Sequence, residues 1–146
     1  MKKFELTEET KIVNGGILHR IQALIDFGDV KAGDLGGYIE KEVNLSHDGD
    51  AWVSGNARVY GNARVFGDAR VSGNADYICV KGLGSCSRNT TFFKLANNGI
   101  GVKCGCFSGS LQEFEAKVKE THGNSKYAKE YLACVEVVKI HFGLEE

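Results

Sequence analysis

The strongest constraint on the fold is a six-residue repeat, Gly-(Asn or Asp)-Ala-x-Val-x, which runs almost without interruption from residue 49 to residue 78. Repeats of fixed short period form a stable core by stacking, because each unit buries its apolar residues against its neighbours. We interpret each hexad as a short strand followed by a corner, with three hexads closing a coil of about 18 residues. Gly permits the backbone conformation of the corner, and Asn or Asp can hydrogen-bond the turn.

The repeat also predicts which side chains face the interior, because its apolar residues recur at two fixed positions. These two columns are Ala51, Ala57, Ala63, Ala69 and Ala75, and Val53, Val59, Val65 and Val71. Ile39 and Leu45 fall in phase with the alanine column and indicate two degenerate hexads before the regular ones. The hexads therefore make only about two coils, and the flanking segments must cap a thin core.

The flanking segments contain the signals of ordinary strands, turns and helices. Asn14-Gly15-Gly16 lies between two runs rich in branched apolar residues, which predicts a β-hairpin. After the hexads, three apolar runs predict three strands, and Ser110 with Glu113 predicts a helix that ends near Gly123. A second helix is predicted from about Ser125. We therefore expect a hairpin cap and connector over residues 1–36, hexads over 37–78 and a β-β-β-α-α module over 79–146.

The hexads and the segment before them, Gly33-Asp34-Leu35-Gly36-Gly37-Tyr38-Ile39, resemble a group of small left-handed β-helix proteins common in bacteriophages and prophages. Residues 87–93, 104–109 and 121–131 resemble a module often found behind such repeats. The resemblance implies a mainly β fold built on a short left-handed parallel β-helix. It also implies a phage-type setting, in which small accessory proteins often counter host defence by sequestering a signal or blocking an effector.

Composition and charge limit the possible partners and compartments. With 18 basic and 19 acidic side chains the formal charge is −1, so the chain has no general attraction for nucleic acid or an anionic membrane. No apolar run is long enough for a membrane span or a signal peptide, and five cysteines, an odd number, fit reduced thiols. We expect a cytoplasmic protein, located in the host cytoplasm if a phage encodes it.

The most functional-looking segment is the small, polar stretch from residue 84 to residue 91. Its backbone N–H groups, hydroxyls and amide could bind a ribose or a base edge, and Arg88 could bind a phosphate. The candidate ligand-binding residues are Ser85, Ser87, Arg88, Asn89, Thr90, Thr91 and Lys94. The alternative is a polar hairpin loop that only caps the hexads.

A second set of candidates lies at the outward positions of the hexads, where aromatic and arginine side chains favour contacts between subunits. These candidate interface residues are Trp52, Arg58, Tyr60, Arg64, Phe66 and Arg70. Residues 18 positions apart should stack on one face, so we expect Trp52 beside Arg70 and Arg58 beside Asp76.

Catalytic and metal-binding readings have less support in the sequence. Acyltransferases and a zinc carbonic anhydrase share the repeat, but here the regular hexads contain no His, and His47 lies in a degenerate one. Cys79, Cys86, Cys104 and Cys106 could approach one another, but Cys-x-Cys lacks the usual loop of a structural zinc site, which favours buried thiols. We therefore expect no catalytic activity, no cofactor and no metal.

The sequence leads to the hypothesis of a homo-oligomer, a trimer or hexamer, that sequesters a small anionic, nucleotide-like immune signal. Two alternatives stay open: an inhibitor that binds a host defence protein such as a nuclease, and a structural trimerisation scaffold.

Overall fold

The computed structural model describes residues 2–13, 15–61, 63–73, 76–84, 88–96, 99–105 and 107–144. Within these residues, ten strands precede two helices. The strands are β1 (Phe4–Val13), β2 (Gly16–Ala23), β3 (Leu35–Ile39), β4 (Trp52–Val53), β5 (Arg58–Val59), β6 (Arg70–Val71), β7 (Tyr77–Leu83), β8 (Arg88–Lys94), β9 (Ile100–Cys104) and β10 (Phe107–Ser110). The helices are α1 (Leu111–His122) and α2 (Lys126–His141), and a 3-10 turn spans Glu42–Asn44.

Most of the strand pairing is antiparallel. One sheet has the order β1-β2-β3-β5, in which only the β3–β5 pair is parallel, and a second has the order β10-β9-β8-β7 with antiparallel pairs throughout. Strands β4 and β6 form a separate parallel pair. The first sheet contains the predicted hairpin, which extends further towards the N-terminus than the turn signal alone indicated.

The expectation of a left-handed parallel β-helix is wrong, because the structure consists of antiparallel and mixed sheets with two helices. The parallel contacts of the hexads are the two-residue ladders β3–β5 and β4–β6 and a bridge between Leu45 and Val65. The physical reason is strand length: the hexads supply strands of only two residues, whereas the longer strands of the flanking segments pair antiparallel and so make up most of the sheet structure.

The side-chain pattern of the hexads follows the repeat nevertheless. Both inward columns are buried where they are described, and Ala75 lies outside the described residues. Ile39 and Leu45, however, pair with Val59 and Val65 and so align with the valine column. These side chains share one core with Phe4 and Ile21 of the hairpin sheet. Burying a valine contributes about 1.5–3 kcal/mol, so this column is a main source of stability.

The C-terminal sheet has four strands, which corrects the β-β-β-α-α order to β-β-β-β-α-α. The predicted third strand is split because Gly105, at φ +58°, lets the chain reverse so that Phe107 pairs with Cys104. Both helices begin where the sequence indicates: Ser110 accepts the backbone N–H of Glu113, and Ser125 accepts that of Ala128. Neither described helix is long and apolar enough to cross a membrane.

Strand β8 joins the hexads to the helices, because successive side chains point to opposite sides of a strand. Phe92 is buried in the core beneath α1 and α2, whereas Phe93 is buried in the core of the hexads. On the hexad side, the Arg64 backbone N–H donates to the Thr91 hydroxyl at 3.0 Å. Strand β8 therefore packs against the hexads with one face and against α1 and α2 with the other.

Candidate functional site

Only part of the predicted ligand-binding segment lies within the described residues, and its two threonines are buried there. Ser85 and Ser87 lie outside the described residues, and of Arg88 only the backbone is described, paired with Leu83. Thr90 and Thr91 are buried, which corrects the expectation that they line a ligand site. Their positions follow from strand alternation, since Thr90 faces the helices and Thr91 faces the hexads.

The buried hydroxyls already have partners, whereas one neighbouring amide does not. Thr90 donates to the thiol of Cys104 at 3.2 Å. Within the described part of the chain, the buried Oδ1 of Asn89 has no hydrogen-bond partner, and Lys94 is half-buried at the end of β8. A role for Asn89, Lys94 or the segment before them in ligand binding stays a prediction.

Among the predicted interface residues, Trp52 is not an outward aromatic. Its side chain is only 5% exposed, and its ring stands edge-on to that of Phe27 at a centroid distance of 5.3 Å. The connector before the hexads folds over this position, which the repeat alone could not indicate. Arg70 pairs with Trp52 across the β4–β6 ladder, as the 18-residue spacing predicts.

Two of the arginines have structural surroundings that differ from the predicted ones. Arg70 donates to the carbonyl oxygen of Asp50 at 2.6 Å and to the carboxylate of Asp29 at 3.1 Å, so it ties the connector to the hexads. Arg58 pairs with Tyr38 across the β3–β5 ladder, and its expected position beside Asp76 stays a prediction. Asp76 accepts backbone N–H groups from residues 72 and 73.

Arg64 and Phe66 line an open cavity of about 680 Å³, which we call the Arg64 groove. Its lining residues are Lys2, Glu42, Val43, Leu45, Ser46, His47, Asp48, Arg64 and Phe66. Pockets for small ligands typically have volumes of about 300–1,000 Å³, so the groove is large enough for a nucleotide-sized molecule. Sequence reasoning singled out Arg64 and Phe66 but missed the other polar residues, because three separate segments contribute them.

Three contacts hold the ring of His47 in place in the lining of this groove. Its ring stacks on that of Phe4 at a centroid distance of 4.2 Å, and its Nδ1 accepts the backbone N–H of Lys3 at 3.0 Å. Nδ1 therefore carries the lone pair, and Nε2–H donates to Glu42 at 3.1 Å. Glu42 also pairs with Lys2 at 3.5 Å. Much of the negative charge of Glu42 is thus compensated within the protein.

Arg64 is the cation most available to a ligand in the groove. Its side chain is exposed, and within the described part of the chain its guanidinium has no carboxylate partner. The ammonium of Lys103 lies 4.8 Å from the centroid of the Phe66 ring. A guanidinium can bind a phosphate with two parallel hydrogen bonds, and an aromatic ring offers an apolar surface beside it. The arrangement suits an anion attached to a planar or apolar group.

The cysteines do not assemble a metal site among the described residues, in which no group of three or more His, Cys, Asp or Glu side chains could hold an ion. Cys104 is buried under the helices. Cys79 is an exposed residue on the other side of the sheet, but its thiol is partly buried, and this desolvation raises its pKa. Cys86 and Cys106 lie outside the described residues. The absence of a metal site therefore stays a prediction.

Comparison with known proteins gives one partial similarity. The chain is 34% identical over 61 residues to a protein named uncharacterized acetyltransferase YdcK from Escherichia coli (strain K12), a match that covers 36% of this chain and 19% of that protein. The chain thus spans about a fifth of the length of the curated protein that it matches. No family model matches the sequence. The similarity is compatible with a hexapeptide-repeat protein.

Proposed function

We propose that this protein binds and sequesters a small anionic, nucleotide-like molecule in the Arg64 groove, without chemical conversion. The supporting observation is the open cavity of about 680 Å³, whose lining includes the exposed residue Arg64 and the half-buried Phe66. The phosphate of the ligand would pair with Arg64, and its base or other planar part would lie against Phe66. The proposed ligand class is the one that the sequence suggested. The proposed site is the Arg64 groove and no longer the segment from Ser85 to Lys94.

The two cations of the groove lining, Lys2 and Arg64, are matched in number by the carboxylates of Glu42 and Asp48, so the case for an anionic ligand rests on the position of Arg64. Lys2 is paired with Glu42, which leaves Arg64 as the lining cation without a carboxylate partner among the described residues. Asp48 is the opposing carboxylate in the groove lining. The attraction between a ligand phosphate and Arg64 would be local, and it should weaken as salt is added. The biological setting that we propose is the phage-type anti-defence role implied by the repeat resemblance.

The proposal is tested by titration calorimetry with a defined panel: inorganic phosphate, adenosine monophosphate and a cyclic dinucleotide. Arg64→Gln should weaken binding of the best ligand by at least ~10-fold, because a charge-assisted hydrogen bond contributes about 1.5–3 kcal/mol. Arg58→Gln is the matched control, since Arg58 has the same hexad position but does not line the groove. Equal weakening by both substitutions, or no binding by the wild type, contradicts the proposal.

Phe66→Leu separates nucleotide binding from simple phosphate binding. The substitution removes the ring but keeps an apolar side chain at the edge of the core. Base–aromatic stacking contributes about 1–3 kcal/mol, so nucleotide affinity should fall by at least ~5-fold. The affinity for inorganic phosphate should not change. A parallel loss of both affinities would mean that Phe66 only supports the groove.

A second candidate function is acetyl transfer, which the similarity to the uncharacterized acetyltransferase favours. His47 is the histidine in the groove, and such chemistry would require it as a general base. Its two ring nitrogens are engaged by the Lys3 backbone and by Glu42, so it has no free lone pair in this arrangement. Release of free coenzyme A from acetyl-coenzyme A with an amine or alcohol acceptor, abolished by His47→Gln, would favour this second function.

A further inference from the structure

Lys103 reaches the edge of the Arg64 groove from the C-terminal sheet. Its ammonium lies 4.8 Å from the centroid of the Phe66 ring, and Phe66 lines the groove. The backbone explains this position. Lys103 pairs with Thr91 across the β8–β9 ladder, and the Thr91 hydroxyl accepts the backbone N–H of Arg64 at 3.0 Å. Paired residues of antiparallel strands project to the same face of the sheet, so Lys103 faces the hexads as Thr91 does.

The contact between Lys103 and Phe66 is one that a ligand can replace. A cation over an aromatic ring gains little where water reaches it, and Lys103 is only half-buried. Among the described residues, no carboxylate lies within ion-pair distance of its ammonium. An ammonium has three donors, and a phosphate offers charged acceptor oxygens for them. A ligand phosphate is therefore a stronger partner for Lys103 than the ring is.

Stacking on Phe66 and the position of Lys103 are coupled. The ammonium lies over the ring, and the ring also packs against the core of the hexads. A planar ligand group that stacks on Phe66 therefore competes with Lys103 for the same ring. The ammonium sits on a flexible four-carbon stem, so it can leave the ring and stay at the edge of the groove.

Lys103 also changes the charge of the site. In the groove lining, the cations Lys2 and Arg64 are matched in number by the carboxylates of Glu42 and Asp48, and Lys103 adds a positive charge at the edge. The guanidinium of Arg64 can hold one phosphate with two parallel hydrogen bonds. The ammonium of Lys103 is then left for a second phosphate.

We propose that the ligand of the Arg64 groove carries two phosphate groups, one bound by Arg64 and the other by Lys103, which leaves the ring of Phe66 when the planar part of the ligand stacks there. Because both phosphates bind at the same site, this proposal rests on the proposed function. It makes Lys103 a specificity-determining residue. A monophosphate pairs with Arg64 alone, whereas a nucleoside diphosphate or a dinucleotide pairs with both cations.

Titration calorimetry with three adenine ligands tests the proposal, in the absence of divalent cations that would compete for the phosphates. Adenosine monophosphate has one phosphate, adenosine diphosphate has two adjacent ones, and cyclic di-adenosine monophosphate has two separated ones. The wild type should bind at least one of the two-phosphate ligands at least ~10-fold more tightly than adenosine monophosphate. Comparison of the two shows whether the phosphates are adjacent or separated.

Lys103→Gln should weaken binding of the preferred two-phosphate ligand at least ~10-fold and that of adenosine monophosphate less than ~2-fold. Lys103→Met, a second neutral variant, should give the same result. Lys117→Gln is the matched control, because it removes the charge of an exposed lysine on α1. It should change each affinity by less than ~2-fold, since solvent screens distant charges. Circular dichroism verifies that each variant is folded.

The possible failures distinguish this proposal from the proposed function. Equal affinity of the wild type for all three ligands, abolished by Arg64→Gln, would overturn the second phosphate site and leave the Arg64 site intact. A preference for two phosphates that folded Lys103→Gln and Lys103→Met both retain would also overturn the role of Lys103. So would equal weakening by Lys117→Gln. A wild type that binds none of the ligands would overturn both proposals.

Discussion

The ammonium nitrogen of Lys3 lies 2.6 Å from the backbone carbonyl oxygen of Ala51. It also approaches the carbonyl oxygen of Gly49 at 3.3 Å and lies 4.7 Å from the centroid of the Phe27 ring. The side chain is buried, so the segment before β1 is fixed to the first regular hexad from within the core. The same segment donates the backbone N–H that orients His47, so this anchor also shapes one wall of the Arg64 groove.

Burial lowers the pKa of Lys3 from 10.5 to about 8, partly opposed by Asp50. Between these two values the folded protein binds fewer protons at Lys3 than the unfolded chain does, so this group makes stability rise with pH. The free energy of unfolding should gain about 2 kcal/mol from Lys3 between pH 7.5 and pH 9.5. Urea denaturation at pH 7.5 and about pH 9.5 measures the change.

Lys3→Met isolates the contribution of Lys3 from those of other titrating groups. The pKa values of Cys79 and Cys134 are raised by burial, so their thiols make stability fall as pH rises through the same range. These contributions are present in both proteins and cancel in the comparison. The wild type should gain more stability with pH than the Met variant does, and identical pH dependence in both would refute the assignment.

Asn44 should be one of the polar side chains most sensitive to substitution. It is fully buried, donates to the carbonyl oxygens of Ala63 at 2.8 Å and Gly61 at 3.3 Å, and accepts the backbone N–H of Lys41 at 2.8 Å. Asn44→Ala leaves buried backbone groups unpaired and should lower the free energy of unfolding by about 2–4 kcal/mol. Asn56→Ala, at an exposed corner, should change it by less than about 1 kcal/mol in the same denaturation assay.

Gly36 should not tolerate a side chain. A β-carbon at this position would lie 2.5 Å from the carbonyl oxygen of Val53 and 2.7 Å from Ile21. Because the first contact is to backbone, relief requires the hairpin sheet and the hexads to separate, and Gly36→Ala should cost at least ~2 kcal/mol. Gly73→Ala faces open space and serves as the control. Similar thermal unfolding midpoints for the two variants would contradict this close approach.

The sequence predicted the interior of the hexads because burial there follows a strict period that local residues alone encode. Val53 and Val59 are buried as the repeat requires. The same period did not predict the sheet architecture, which depends on how long each strand stays extended between Gly corners. The period also predicted that Trp52 is exposed. The ring is buried instead, because Phe27 of the connector covers it, and the connector has no periodic signal.

The candidate site was less predictable than the core. Arg64 and Phe66 were recognised as outward residues, but the groove also requires Glu42, His47 and Lys2 from segments that the hexad period does not relate to them. Thr91 belongs to the polar segment that the sequence singled out as a binding site, yet its hydroxyl accepts the backbone N–H of Arg64 inside the protein. Polar residues near a β-strand can serve packing or binding, and only the neighbouring segments decide between the two.

Native mass spectrometry of the protein purified from bacteria and incubated with a bacterial metabolite extract tests the central claim most directly. The Arg64 groove predicts a discrete small-molecule adduct on the wild type and on Arg58→Gln, and its loss from Arg64→Gln. Denaturing conditions should release an anionic molecule of nucleotide-like mass. A wild type without any adduct, or an adduct that Arg64→Gln retains in full, would contradict the account.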